Sequence, residues 1–347
     1  MIHKTRLFFT AAALVILTGA ATLSAQTPRP PLPEVNPPEF QRVGQTGWQF
    51  LHLPTVARNA SMASVISGLK HNDVMSVFAN PANLVDVKNV DAGFTKINYV
   101  ADISYMTAAV AKNFGSLGVF GLSFATLDIG DMIRTENVYN PDLDITERSG
   151  DLETFSAGDL LVALSYARTV TDRLSIGGNI GYIQETLDET KVKNWNVDFG
   201  VYFRTGFRSL RFSLVARNFG ADKEFTGFTE IYGVPQSVRM PLDFRMGVGY
   251  DILEKKEGGL HELSAYLEGV HVNDGPERLH TALEYTFMDL FSLRGGYKFN
   301  YDEQGLTLGG GLNFNMKNVI GRIDYAYLDY GRLDVVHMFT LGFGFGE

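Results

Sequence analysis

Residues 291–300 read Phe291-Ser292-Leu293-Arg294-Gly295-Gly296-Tyr297-Lys298-Phe299-Asn300. Alternate positions give two sets: Phe291, Leu293, Gly295, Tyr297 and Phe299 against Ser292, Arg294, Gly296, Lys298 and Asn300. A helix cannot sort these residues onto two faces. A strand does, because its side chains alternate with a period of two. The same separation returns along the chain. Leu242, Phe244, Met246, Val248 and Tyr250 oppose Asp243, Arg245, Gly247 and Gly249. Trp195, Val197, Phe199, Val201 and Phe203 oppose Asn196, Asp198, Gly200, Tyr202 and Arg204. Near the end, Phe339, Leu341, Phe343 and Phe345 oppose Thr340, Gly342 and Gly344. In a soluble sandwich the apolar face would be a core; in a membrane barrel it meets lipid, and the polar face lines a lumen.

About 14 segments of roughly ten residues carry the pattern, the length of a tilted membrane-spanning strand. They lie near 90–100, 103–113, 117–129, 158–170, 174–186, 195–205, 210–219, 241–252, 261–272, 278–287, 291–300, 306–315, 319–328 and 335–345. Connections after even segments are mostly short, whereas 130–157 and 220–240, after odd ones, are long. The connections at 101–102 (short) and 253–260 (long) break the rule. Short turns at one end and long loops at the other mark an outer-membrane barrel. The polar face points the same way, being Gly, Ser and Asn with sparse charges of both signs instead of a solvated Lys, Glu and Thr surface. The expected fold is therefore all-β: an about 14-stranded antiparallel transmembrane β-barrel with a small N-terminal plug segment.

The start of the chain is consistent with export. Lys4 and Arg6 precede an apolar run from Leu7 to Ala21, and Leu23-Ser24-Ala25 offers small residues ahead of Gln26. This pattern is a secretory signal peptide, residues 1–25, with an uncleaved anchor helix as the alternative. Residues 26–39, with Pro28, Pro30, Pro31, Pro33, Pro37 and Pro38, form an extended tether. Residues 40–89 lack alternation and form short helical and irregular pieces, the plug; residues 90–347 form the barrel. No later apolar run could cross a membrane as a helix, so insertion falls to strands.

Composition excludes several functions. Lys+Arg 30 against Asp+Glu 39 gives a net charge of -9, against the basic face that nucleic-acid binding requires. With Cys 0 there is no disulfide, thiolate metal site, cysteine nucleophile or lipoprotein anchor. No spacing of the seven His (His 7) demands a metal or a catalytic triad, and neither Gly309-Gly310-Gly311 nor Gly177-Gly178 opens a helix as a phosphate loop would. No catalytic residue, cofactor or metal ligand is assigned.

Three groups of residues are candidates for function. Asn80, Pro81 and Ala82 can start a helix, with Asn80 as cap and Pro81 at the first position; the motif is a plug element or an ordinary turn. Asp198, Arg204, Arg217, Asp243, Arg245, Glu284, Arg294, Lys298, Arg322 and Asp324, with Arg211, Glu262 and Glu268, are candidate lumen charges able to pair across a narrow bore. Phe225, Phe228, Ile231 and Tyr232 in the 220–240 connection form either a partner surface or a loop folded over the mouth.

Phe50-Leu51-His52-Leu53-Pro54-Thr55-Val56-Ala57-Arg58 and Asn72-Asp73-Val74 leading to Phe78-Ala79-Asn80-Pro81-Ala82-Asn83-Leu84 resemble the PorV/PorQ family of outer-membrane proteins. Phe155-Ser156-Ala157-Gly158-Asp159 followed by Leu164-Ser165-Tyr166-Ala167-Arg168 is most similar to the PorQ branch. The chain departs at Ala63-Ser64, where relatives often carry Gly-Gly, and at Gly346-Glu347, which follow the terminal aromatic. The resemblance implies a FadL-like barrel with an N-terminal plug at the outer membrane. It also implies a non-enzymatic role in type IX protein secretion, with secretion components or secreted cargo as partners alongside outer-membrane lipid. The alternative is a FadL-like channel for hydrophobic solutes such as long-chain fatty acids.

Overall fold

The computed structural model describes residues 44–70, 73–135, 137–140, 145–148, 153–188, 190–224, 237–255 and 259–346. The expected signal and tether, and the loop residues Phe225, Phe228, Ile231 and Tyr232, lie outside the described residues. The described strands are β1 (Val90–Asn98), β2 (Ser104–Asn113), β3 (Val119–Ile133), β4 (Asn137–Asn140), β5 (Ile145–Arg148), β6 (Thr154–Thr171), β7 (Leu174–Leu187), β8 (Thr190–Arg204) and β9 (Arg211–Phe219). They continue with β10 (Lys223–Glu224), β11 (Ser237–Val238), β12 (Asp243–Leu253), β13 (His261–Val272), β14 (Arg278–Phe287), β15 (Phe291–Phe299), β16 (Leu306–Met316), β17 (Val319–Asp329) and β18 (Val335–Phe345). The pairs β4–β5 and β10–β11 are small hairpins in connections. The other fourteen strands form one closed antiparallel barrel, sealed where β1 pairs with β18 from Val90–Phe345 to Asn98–His337. Closure leaves no sheet edge along the barrel's circumference, which lipid requires.

The alternation in β15 resolves as lipid against lumen. Phe291, Leu293, Tyr297 and Phe299 are exposed, while Ser292, Arg294 and Lys298 are buried. Outward Leu164 and Leu293 are each 67% exposed and Trp195 61%. A continuous exposed apolar wall of this kind has no place in water and is the lipid-facing band of a membrane barrel. Outward ring clusters flank it, Phe114–Phe120–Tyr166 toward one end and Tyr182–Trp195 and Tyr325–His337 toward the other. No helix among the described residues is long and apolar enough to cross a membrane.

The connections 114–118, 172–173, 205–210, 254–260, 288–290 and 317–318 share one end with the start of β1 and the finish of β18: the turn end. The loop end carries 99–103, 134–153, 188–189, 220–242, 273–277, 300–305 and 330–334. Strand limits differ from the alternation on one side of the barrel. β6 starts at Thr154 and not near 158, and β8 at Thr190 and not near 195. The ladder β7–β8 runs on from Tyr182–Trp195 to Leu187–Thr190, but outward residues there are Lys193 and Lys191. Beyond lipid the outer face has no reason to be apolar, so the pattern that locates the strand fades while its hydrogen bonds persist.

Residues 44–70 and 73–88 thread the interior. They hold 3-10 turns at Gln49–His52, Val74–Phe78 and Pro81–Asp86 and one α-helical turn at Ala57–Ala60. Asn80 Oδ1 accepts the Ala82 N–H at 3.0 Å and Pro81 follows as the first helical residue. Wall glycines permit the approach: a Cβ on Gly296 would lie 2.5 Å from Ala63 N, and one on Gly177 2.5 Å from the Pro81 carbonyl carbon.

Candidate functional site: the lumen and its plug

An irregular segment has backbone N–H and C=O groups with no ladder to satisfy them, and buried groups of this kind must find partners. Inward side chains of the wall supply them on nearly every side. Thr107 donates to Thr55 O at 2.8 Å and Thr340 Oγ1 accepts from Ala57 N at 2.9 Å. Thr307 Oγ1 accepts from Ala63 N at 2.8 Å and donates to Ser61 O at 3.0 Å. The Glu268 carboxylate accepts both Ile66 N (2.9 Å) and Ser67 N (2.7 Å). Arg245 donates to Ser64 O at 2.9 Å, Arg211 to Gly68 O at 3.1 Å and Arg217 to Phe78 O at 3.0 Å. Asn179 donates to Val77 O at 2.9 Å, and Asn80 donates to Val201 O at 3.2 Å.

The turn-end half of the bore is a charged vestibule of about 1110 Å³. Seven cationic side chains (Arg58, Lys70, Arg204, Arg208, Arg211, Arg294, Arg322) and seven anionic ones (Asp73, Asp86, Asp251, Glu262, Glu284, Asp289, Asp324) line it. They are woven into pairs. Arg58, from the plug, meets Glu284 at 3.0 Å; Glu284 also holds Arg294 at 2.8 Å, which reaches on to Asp324. Arg211 and Lys70 share Asp251 at 2.8 and 2.6 Å. Arg322 pairs with Asp91, and Arg204 with Asp86 at 3.2 Å. Burial alone would favour a neutral Arg58, but the Glu284 carboxylate outweighs it and holds the guanidinium above its ordinary value. Deeper in the bore, Asp243 joins Arg217 and Arg245, and Arg245 reaches Glu268 at 3.3 Å.

The loop-end half is apolar on one side only: toward β9 and β12–β15 it holds Arg217, Asp243, Arg245, Glu268, His280 and Lys298, and toward β1–β3, β7, β17 and β18 it is apolar. Trp48, Phe50, Leu51 and Phe78 of the plug pack in one buried cluster with Ile97, Tyr105, Leu127, Ile183, Leu328, Tyr330 and Met338 of the wall. Against it lies a small cavity of about 30 Å³, bordered by Leu51, Phe78, Tyr105 and Leu161 and by Asn179, Asn196, Asp198 and Arg217. It abuts an irregularity in the wall. The β8–β9 ladder shifts register between Val197–Phe219 and Phe199–Ala216, and it stops at Phe219 although β8 continues to Thr190. Asp198 accepts the Asn218 N–H at 2.8 Å inside that bulge.

All ten charged residues singled out from the sequence lie at inward positions of their strands. Asp198, Asp243, Arg245, Glu284, Arg294, Lys298, Arg322 and Asp324 are buried; Arg217 is largely so, and Arg204 stands half-exposed at the turn-end mouth. Lys298 donates to Gln304 at 2.7 Å. Sequence reasoning missed Arg58, Asp91, Thr107, Asn179, Ser213, Thr307 and Thr340, all of which hold the plug. For the six wall residues the one signal is a hydroxyl, amide or carboxylate in the inward phase of a strand, which does not distinguish a plug seat from an open lining; Arg58, on the plug itself, lies outside any alternating pattern. Among the described residues no group of three or more His, Cys, Asp or Glu could hold a metal ion. His52 is held by Pro241 O at 3.1 Å, and burial lowers its pKa below the usual imidazole value.

Fold and lumen together define a closed 14-stranded antiparallel transmembrane β-barrel with a plug in its bore. The barrel is similar to the CymD monoaromatic hydrocarbon channel, with a TM-score of 0.53 and 10% identity over 84% of this chain and 97% of that one. A Pseudomonas aeruginosa FadL homologue gives 0.50, with 10% identity over 84% and 98%. A mutant of the TodX monoaromatic hydrocarbon channel gives 0.51, with 11% identity over 83% and 96%. At these identities the likeness is one of fold. No protein-family model and no curated protein matches the sequence.

Proposed function

We propose that this protein is an outer-membrane channel for small hydrophobic solutes, monoaromatic hydrocarbons or long-chain fatty acids in class, closed by its plug. The carrying observation is the apolar cluster of plug and wall residues on one side of the loop-end half, in a barrel whose fold is similar to that of hydrocarbon channels. The charged vestibule beyond would reject such a solute, because apolar surface there displaces the water that solvates its charges and offers no hydrogen bond in return. The β9 bulge beside the small cavity is then the way out, sideways through the wall. Uptake of labelled toluene and labelled oleate into a deletion strain and its complemented parent tests this: uptake lost on deletion and restored on complementation is the expected result.

A second reading, a non-enzymatic component of type IX secretion, draws on the PorV/PorQ-like segments, one of which, 50–58, belongs to the tightly pinned plug around Arg58. A barrel held shut by so many polar contacts would act through its loops. Unchanged uptake with lost protein secretion in the same deletion strain would replace the channel by this second reading.

A further inference from the structure

We propose that the plug starts at the exterior mouth of the barrel, where its first described residues are anchored, and runs inward from there before β1 begins. The inference rests on the outer-membrane reading of the barrel and on no particular solute. Outer-membrane barrels place short turns in the periplasm and longer loops outside, which makes the loop end the exterior.

The first described residues are anchored at that end. Gly44 N–H donates to Asp274 O at 3.3 Å and Gly47 N–H to Arg239 O at 3.0 Å, both in loop-end connections. Thr46 donates to the Asp274 carboxylate, Gln49 to the same carboxylate at 2.9 Å, and Trp48 N–H to Glu185 at 3.1 Å, two residues from the finish of β7. From there the path reaches the turn end unevenly: mid-strand Thr340 for Ala57, back up to Thr307 for Ala63, then Glu268 and Ser213 for 66–68, and Asp251 and Glu262 for Lys70 near the turn end. After a partial return to Asn179 and Val201, the segment finishes at the turn end, where Asn113 donates to Val87 O at 2.8 Å and β1 starts.

Two consequences follow. An exported chain reaches the barrel's site of assembly from the periplasm, so the plug must be enclosed as β1 closes on β18 and not inserted afterwards. In addition, an agent acting from outside meets the plug's first anchor, whereas one in the periplasm meets its covalent continuation into the wall.

The cysteine-free sequence allows a direct test. Single variants Gln45→Cys (plug start), Arg332→Cys (loop end) and Lys317→Cys (turn end), all at exposed positions, are labelled in intact cells with a membrane-impermeant maleimide and again after outer-membrane permeabilisation. Heat-shifted gel mobility confirms that each barrel has folded. The expected result is labelling of Gln45→Cys in intact cells to the extent of Arg332→Cys, with Lys317→Cys reacting only on permeabilisation. Gln45→Cys that reacts only with Lys317→Cys, or that stays unreactive in folded protein under both conditions, overturns the inference. Exchange of the two wall controls would instead overturn the orientation of the barrel itself.

Discussion

Arg58 sits on the plug's one α-helical turn and grips Glu284 through Nε and Nη2 at 3.1 and 3.0 Å, while its Nη1 donates to Lys70 O at 2.8 Å. Removing one member of a buried pair costs more than the pair contributes, because the other charge stays buried. Arg294 and the Tyr266 hydroxyl remain on Glu284, so Arg58→Ala is expected at the lower end of that range, about 3 kcal/mol. Reversible denaturant unfolding in detergent measures the loss, and conductance in planar bilayers should rise as the plug loosens. Asp274 sets a second residue-scale expectation. Burial acts to raise its pKa, but hydrogen bonds from Thr46 and Gln49, with His52 and Arg278 nearby, bring it below the usual carboxylate value. A carboxylate lowered on folding contributes stability above its unfolded pKa, about 4, and that contribution is lost as pH falls through the folded value. The outer anchor should therefore loosen below about pH 4. Acrylamide quenching of Trp48, 1% exposed, in a Trp195→Phe background reads this, and Asp274→Ala should show the raised quenching already at neutral pH.

At the scale of the element, β15 shows what one strand must satisfy. Its outward residues meet lipid; its inward residues carry Arg294 to Glu284 and, through Gly296, admit the plug. On the neighbouring β14, Leu283→Arg, beside Gly295 at mid-strand, places a charge near the middle of the lipid face and should cost ~2–4 kcal/mol, read as unfolding at lower denaturant in liposomes. β15 also shows how far a sequence can be read. Its alternation was legible because lipid and lumen act on every second residue alike. The upper parts of β6 and β8 were not legible, because above the membrane that contrast disappears. The identity of Thr307 or Ser213 as plug anchors was hidden for another reason: the partner is a backbone group some 150–250 residues away in sequence.

For the whole molecule, the bore holds a charged vestibule above the turns and, under the loops, an apolar cluster on one side facing a buried charge network on the other, and the plug meets all three. This division makes a straight path for a hydrophobic solute unfavourable and points to the wall at the β9 bulge, which the uptake experiment addresses. The sequence by itself determined the barrel: strand count, which face meets lipid, and which charges turn inward all follow from a period of two imposed by a two-sided environment. Only the tertiary structure decided that those inward charges pair with one another and with a plug, and at which end that plug is first anchored. Closing the sheet brings together strands far apart in sequence, and no local pattern records which inward side chains then face each other.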